Sequence, residues 1–171
     1  MLGMFKRKKM VPEGPVDLVI EIEIDRPPET LFAMLDWDSP ENRQVAMGHT
    51  VAKVGENQFM LHLKFAPDDP IAMQVVESEP NEFYKFVAAL PPTFGFLDIS
   101  EESYTFASNG TGGTKMKLET RAFFRDGMTM DQFQEEIGRV ALATQNALTK
   151  LRMHAEHGLA AALAVEDSIL V

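Results

Sequence analysis

The stretch IEIEIDRPPETLFAMLDW, residues 20–37, changes its rule halfway. Up to Asp25 apolar and acidic residues alternate, the period-two pattern of a strand with one buried and one wet face. Leu18, Ile20, Ile22 and Ile24 fall on one side, and Val19, Glu21, Glu23 and Asp25 on the other. Pro27 and Pro28 end the ladder, because proline has no N–H to donate, yet proline suits the first turn of a helix. Leu31, Phe32 and Leu35 then recur at helical spacing. A strand therefore turns a corner on Pro-Pro and runs straight into a short helix. In DSPEN, Ser39 offers a cap and Pro40 a first position for a second short helix.

Six more strands follow. TVAKVG and QFMLHLKF flank the turn Gly55-Glu56-Asn57, with Phe59, Leu61, Leu63 and Phe65 sharing a face. IAMQVVESE and EFYKFVAAL flank Pro80-Asn81, and SYTFAS and TKMKLETRAFF flank NGTGG. In the last strand Met116, Leu118, Thr120, Ala122 and Phe124 point inward, while Lys115, Lys117, Glu119 and Arg121 point outward. Thr129 and Gln132 have capping-box spacing at the head of a long helix. Its apolar stripe is Met130, Phe133, Ile137, Val140, Ala141, Thr144, Leu148 and Leu151, and Gly158 stops it. The order β-α-α-β6-α, about seven strands in all, indicates the α+β class with an antiparallel sheet. Only the inner face of that sheet is large enough to bury the stripe of the long helix. Three segments result: a flexible basic arm (1–16), one domain (17–157) and an apolar tail (158–171) that is either a further helix or irregular.

Composition bounds the function. A chain of 171 residues, 45% hydrophobic, suits one domain with a real core. It has no cysteine, which excludes a disulfide framework. Net charge is −10, and once Lys6, Arg7, Lys8 and Lys9 are set aside the rest holds 12 basic against 26 acidic residues. Such a body repels a phosphate backbone, so no nucleic-acid partner is expected. No apolar run approaches the ~18 residues of a membrane span, and MLGMF is shorter than the apolar core of a signal peptide, about 7–15 residues. A cytoplasmic protein is the resulting expectation. The arm carries four positive charges, each contributing about 1 kcal/mol beside an anionic bilayer. Opposed by the acidic body, they give at most weak peripheral membrane contact through residues 1–10. The tail offers a surface for a homodimer.

Three phrases, in this order, resemble the START-like (SRPBCC) helix-grip superfamily of the polyketide cyclase and lipid-binding type. They are IEIEIDRPPETLFAML, VVESEPNEFYKF and GTGGTKMKLE, and with the long helix they span residues 17–157. The resemblance implies a curved antiparallel sheet wrapped around the C-terminal helix, with a cavity between them. Relatives use that cavity for lipids, quinones, polyketides or hormones; others are ring-closing enzymes or chaperone activators. They share no catalytic motif, so no catalytic residue carries over. Many carry a Trp after the second short helix, whereas the single Trp here, Trp37, directly follows the first.

Small residues on both walls would keep such a cavity open: Ala141 and Thr144 on the helix, Thr120 and Ala122 on the last strand. The Thr144 hydroxyl also has a competing partner, the carbonyl four residues back. Tyr84 and Phe86 alternate on one strand and Tyr104 and Phe106 on another. Aromatic walls with polar tips suit apolar, often cyclic ligands, although core packing accounts for the same residues. LPPTFGFLD, residues 90–98, brings Phe94 and Phe96 on an apolar loop that reads as a lid or as a loop tucked on its own core. With Leu148 these complete the candidate ligand-binding set. Neither metal nor cofactor is expected: His154 and His157 lie three apart and off the stripe, and His62 lies on the polar side of its strand. Only His49 is a candidate for the cavity. The acidic pairs Asp68-Asp69, Glu101-Glu102 and Glu135-Glu136 read as solvated surface. Three functions fit, in this order: binding of a hydrophobic small molecule or lipid; a cyclase- or dehydratase-like enzyme acting on an aromatic or polyketide substrate in the same cavity; and a protein- or membrane-interaction module.

Overall fold

The computed structural model describes residues 11–169. The membrane contact expected of residues 1–10 falls outside the described residues, as do the last two residues of the tail. β1 (Val16–Ile24) alternates between half-buried and exposed positions as its sequence does. Pro27 holds the extended backbone that precedes α1 (Pro28–Leu35), and Pro28 sits in its first turn. α2 (Arg43–Ala46) starts later than DSPEN suggests. Ser39 accepts the Glu41 N–H at 3.1 Å within a turn, and Asn42 is the cap, accepting the Gln44 N–H at 2.9 Å.

β2 (Thr50–Gly55), β3 (Gln58–Leu63), β4 (Ala66–Glu79), β5 (Phe83–Ala89), β6 (Leu97–Ser108) and β7 (Thr114–Phe124) complete the strands. They form one curved antiparallel sheet in the order β1-β7-β6-β5-β4-β3-β2. β1 and β2 are consecutive in the chain yet lie on opposite edges, so α1 and α2 must cross the hollow between them. The Pro-Pro corner sends the chain across. Two boundaries differ from the sequence pattern. β3 ends at Leu63, which pairs with Ala66, so Phe65 falls in the intervening turn and is 58% exposed rather than sharing a face with Phe59. β6 begins at Leu97, six residues before SYTFAS, and pairs with β5 and β7 over its length.

α3 (Met130–His157) has the full capping box: Thr129 Oγ1 accepts the Gln132 N–H, and Gln132 Oε1 accepts the Thr129 N–H. Its C-terminal half enters the core, where Leu148 and Leu151 join Leu31, Phe32 and Leu35 of α1 and Met116, Leu118 and Phe106 of the sheet. The tail forms α4 (Leu159–Ile169), which packs back on α3. Ala162 is fully buried, and Glu166 lies 2.6 Å from Lys64 Nζ and 3.4 Å from Lys150 Nζ. Among the described residues no helix is long and apolar enough to cross a membrane.

Candidate functional site: a cavity between α3 and the sheet

α3 is held at both ends and stands off in the middle. Near its start Phe133 meets Phe124 of β7 edge-on, ring centroids 5.7 Å apart. Near its end Leu148 and Leu151 are locked in the core. Between them the helix turns Val140, Ala143, Thr144 and Ala147 toward a sheet that answers with Ala88, Ser100 and Thr120. Short side chains on both walls cannot close the gap, and a cavity of about 340 Å³ remains. That is within the range of ligand pockets, about 300–1,000 Å³. Leu61, Ile71, Met73 and Phe86 form its apolar floor, and Met34, Leu35 and Trp37 close the α1 end. Arg139 and Ala143 line the cavity and are also exposed, which puts its mouth along this side of α3.

The other end is covered by the loop between β5 and β6, through Leu90, Phe94 and Leu97. Arg125 fixes this loop from the end of β7. Its guanidinium donates to the carbonyls of Gly95 (2.9 Å), Leu97 (2.8 Å) and Leu90, and pairs with Asp98 at 2.8 Å. Gly95 has φ +101°, and a Cβ there would lie 3.2 Å from the carboxylate of Glu136 on α3. Only glycine lets the loop come this close to the helix in this backbone conformation.

The wall is not wholly apolar. Tyr104 Oη donates to Glu102 Oε2 at 2.7 Å, and both residues line the cavity. Burial pushes the Tyr104 hydroxyl well above its ordinary pKa, helped by the neighbouring Glu102, so Tyr104 stays a proton donor. Burial also raises the Glu102 pKa, against the hydrogen bonds from Tyr104 and Ser100 and the charge of Arg43. Arg43 borders the same cavity, 6% exposed, and burial lowers its pKa against the pull of Tyr104 and Glu102. Among the described residues its guanidinium has no ion pair, and its Nη1 has no hydrogen-bond partner. Asn42 sets its position. The Asn42 side chain caps α2 and donates to the carbonyls of Asp36 (3.0 Å) and Leu35 (3.4 Å), tying α2 to the end of α1.

Of the candidate residues, Phe86, Phe94, Tyr104, Thr120 and Thr144 line the cavity. The Thr144 hydroxyl is taken by the Val140 carbonyl at 2.8 Å, so the cavity meets a side chain whose donor is already used. Tyr84, Phe96, Phe106, Ala122, Ala141 and Leu148 do not line it. Tyr84 accepts the Trp37 N–H at 3.0 Å and donates to Asp36 at 3.2 Å; Phe106 packs on Phe32; Ala122 and Leu148 are buried core positions. Ala141 misses because the cavity-facing residues 136, 139, 140, 143, 144 and 147 centre roughly 80° around the helix from the apolar stripe, at about 100° per residue. His49 stays outside as well, its Nδ1 accepting the Lys64 N–H at 3.1 Å.

Two acids overturn the expectation of a solvated surface. Glu102 shares the inward face of β6 with Ser100, Tyr104 and Phe106, and Glu136 is buried beneath Gly95 and held by Arg139 at 3.0 Å. The alternation Ser100, Glu102, Tyr104, Phe106 was the available signal, hidden by starting the strand at Ser103. Arg43 and Trp37 carry no comparable signal.

No family model matches the chain, and no curated protein matches it in sequence. Solved structures do match. CalU16 from Micromonospora echinospora aligns with TM-score 0.56 at 15% identity, covering 90% of this chain and 85% of its own. Ara h 8.0201 aligns with TM-score 0.55 at 12% identity, covering 92% and 99%. BexL, the di-domain ARO/CYC of the BE-7585A biosynthetic pathway, aligns with TM-score 0.60 at 16% identity, covering 85% of this chain and 51% of that one. At these identities what is shared is the architecture. The chain shares with them the helix-grip fold, a curved antiparallel sheet around a long C-terminal helix.

Proposed function

We propose that the chain binds a hydrophobic small molecule or lipid in the cavity between α3 and the sheet. The observation that carries this reading is the cavity itself: about 340 Å³, mostly apolar, open along α3, in a position that packing would otherwise fill. Trp37 is the only tryptophan and lines the wall, so its emission reports occupancy. Titration with the neutral probe N-phenyl-1-naphthylamine, with native mass spectrometry alongside, tests the reading. Saturable one-to-one uptake is expected, with quenching of Trp37 and loss of uptake in Ala143→Phe, which crowds the wall. If neither this probe nor an extract of cellular lipids is taken up, the reading fails.

A second reading is supported by the Glu102–Tyr104 pair: a cyclase- or dehydratase-like enzyme acting on an aromatic or polyketide substrate. A carboxyl group with a raised pKa, beside a protonated hydroxyl in a mostly apolar pocket, is suited to moving a proton at carbon next to a carbonyl. Here Glu102→Gln should abolish conversion while leaving binding intact. Conversion of a poly-β-ketone substrate at an unchanged rate in that variant would remove the reading.

A further inference from the structure

We propose that the cavity takes an apolar monocarboxylic acid, its body against Trp37, Phe86 and Phe94 and its carboxylate on the Arg43 guanidinium. The proposal rests on the binding reading above and names the chemistry of the ligand's head.

The protein leaves several buried polar atoms without a hydrogen bond. Five buried side-chain polar atoms lack a hydrogen-bond partner among the described residues, one of them, Glu166 Oε1, being ion-paired with Lys64, and three of them belong to residues lining this one cavity: Arg43 Nη1, Trp37 Nε1 and Thr120 Oγ1. Native interiors keep such atoms few, and each costs about 1–3 kcal/mol. Arginine and the indole N–H are donors only, so what they lack is an acceptor. A guanidinium fork matches the two oxygens of a carboxylate, and that charge-assisted pairing is stronger than one between neutral groups.

The surrounding charge favours an anion. Arg43 is close enough to Lys150 and His154 of α3 for its charge to help lower the pKa of both, burial being the larger cause. Two acids line the same cavity: Glu136 is paired with Arg139 at 3.0 Å, and Glu102 already accepts the Tyr104 hydrogen bond and is shifted by burial toward its neutral form. A neutral sterol, ketone or hydrocarbon would leave the guanidinium as it stands, buried and unpaired. The floor of Leu61, Ile71 and Met73 offers nothing polar to a second charged group, so the rest of the ligand is apolar.

Calorimetry on the full chain at neutral pH tests this with two matched pairs: decanoic acid against methyl decanoate, and 2-naphthoic acid against methyl 2-naphthoate. In the wild type the acid of at least one pair should bind about tenfold or more tighter than its ester. The pair that does so tells an aliphatic body from an aromatic one. In Arg43→Met the preference should disappear; in Arg43→Lys part of it should remain, since the charge is kept and the fork is lost. Equal affinity of acid and ester overturns the head-group assignment and leaves the binding reading standing. Failure of acids and esters alike overturns both. An acid preference undiminished in a folded Arg43→Met removes Arg43 from the site. The acid–ester comparison needs no variant, so it decides even if a substitution disturbs folding.

Discussion

Replacing Arg43 by methionine should make the empty protein more stable, not less. Arg43 is 6% exposed, has no ion pair among the described residues, and leaves Nη1 without a hydrogen bond. The unpaired N–H alone costs about 1–3 kcal/mol, and apolar residues that replace buried ionic groups of similar volume range from neutral to stabilising by about 4 kcal/mol. Against this stands the lost attraction to Glu102. That loss is limited, because Glu102 keeps the hydrogen bond from Tyr104 and burial raises its pKa against the charge of Arg43. The net expectation is a gain of about 1–2 kcal/mol. For a chain of this size, where 1 kcal/mol moves Tm by about 2–4 °C, the melting temperature rises by roughly 2–8 °C. Calorimetric melting of the ligand-free protein reads this directly. A lower Tm in a variant with an unchanged circular dichroism spectrum would mean that Arg43 has a structural partner, and the case for an anion on its guanidinium would go with it. The rise in stability should come with weaker binding of carboxylic acids, the opposite signs expected where a fold carries a charge for its ligand's sake.

Three other perturbations follow from the same geometry. Arg125→Met removes the bonds to three loop carbonyls, so amide exchange in residues 90–97 should accelerate by about tenfold or more, each charge-assisted bond contributing about 1.5–3 kcal/mol; unchanged exchange would show that the loop is held by its own packing. Tyr84→Phe leaves the buried Trp37 N–H without its acceptor, which should lower unfolding stability in urea by about 1–2 kcal/mol without altering ligand uptake. For Glu166, burial works to raise the pKa, but the ion pairs with Lys64 and Lys150 prevail and hold it below its ordinary value. A depressed folded-state pKa gives stability that is complete above the ordinary glutamate value, about 4.3, and is lost as the pH falls through the folded one. Exchange protection of α4 should therefore fall in that acid window in the wild type and vary little with pH in Glu166→Gln; equal pH dependence in the two would refute the role of these pairs.

Much of the architecture is written in local periodicity. The alternation Leu18 to Ile24, the Pro-Pro corner, the NGTGG turn and the capping box of Thr129 and Gln132 each depend on a few neighbouring residues, and each forms as its pattern requires. What the chain does with its charged residues is another matter. Glu102 is inward because β6 extends back to Leu97 and its register with β5 and β7 sets which residues face the hollow. Glu136 is buried because Gly95, forty-one positions earlier, lets a loop close over it. Arg43, on a helix of four residues, has no periodicity to betray its burial; it is enclosed only because β1 and β2 lie on opposite edges and force α2 across the cavity. The order and type of the elements, and the existence of two facing walls, are local properties of the chain, since strand and helix patterns arise from interactions a few residues apart. Whether those walls leave a gap, and which charges line it, was decided by the tertiary structure, because burial is a property of what the rest of the chain places around a side chain.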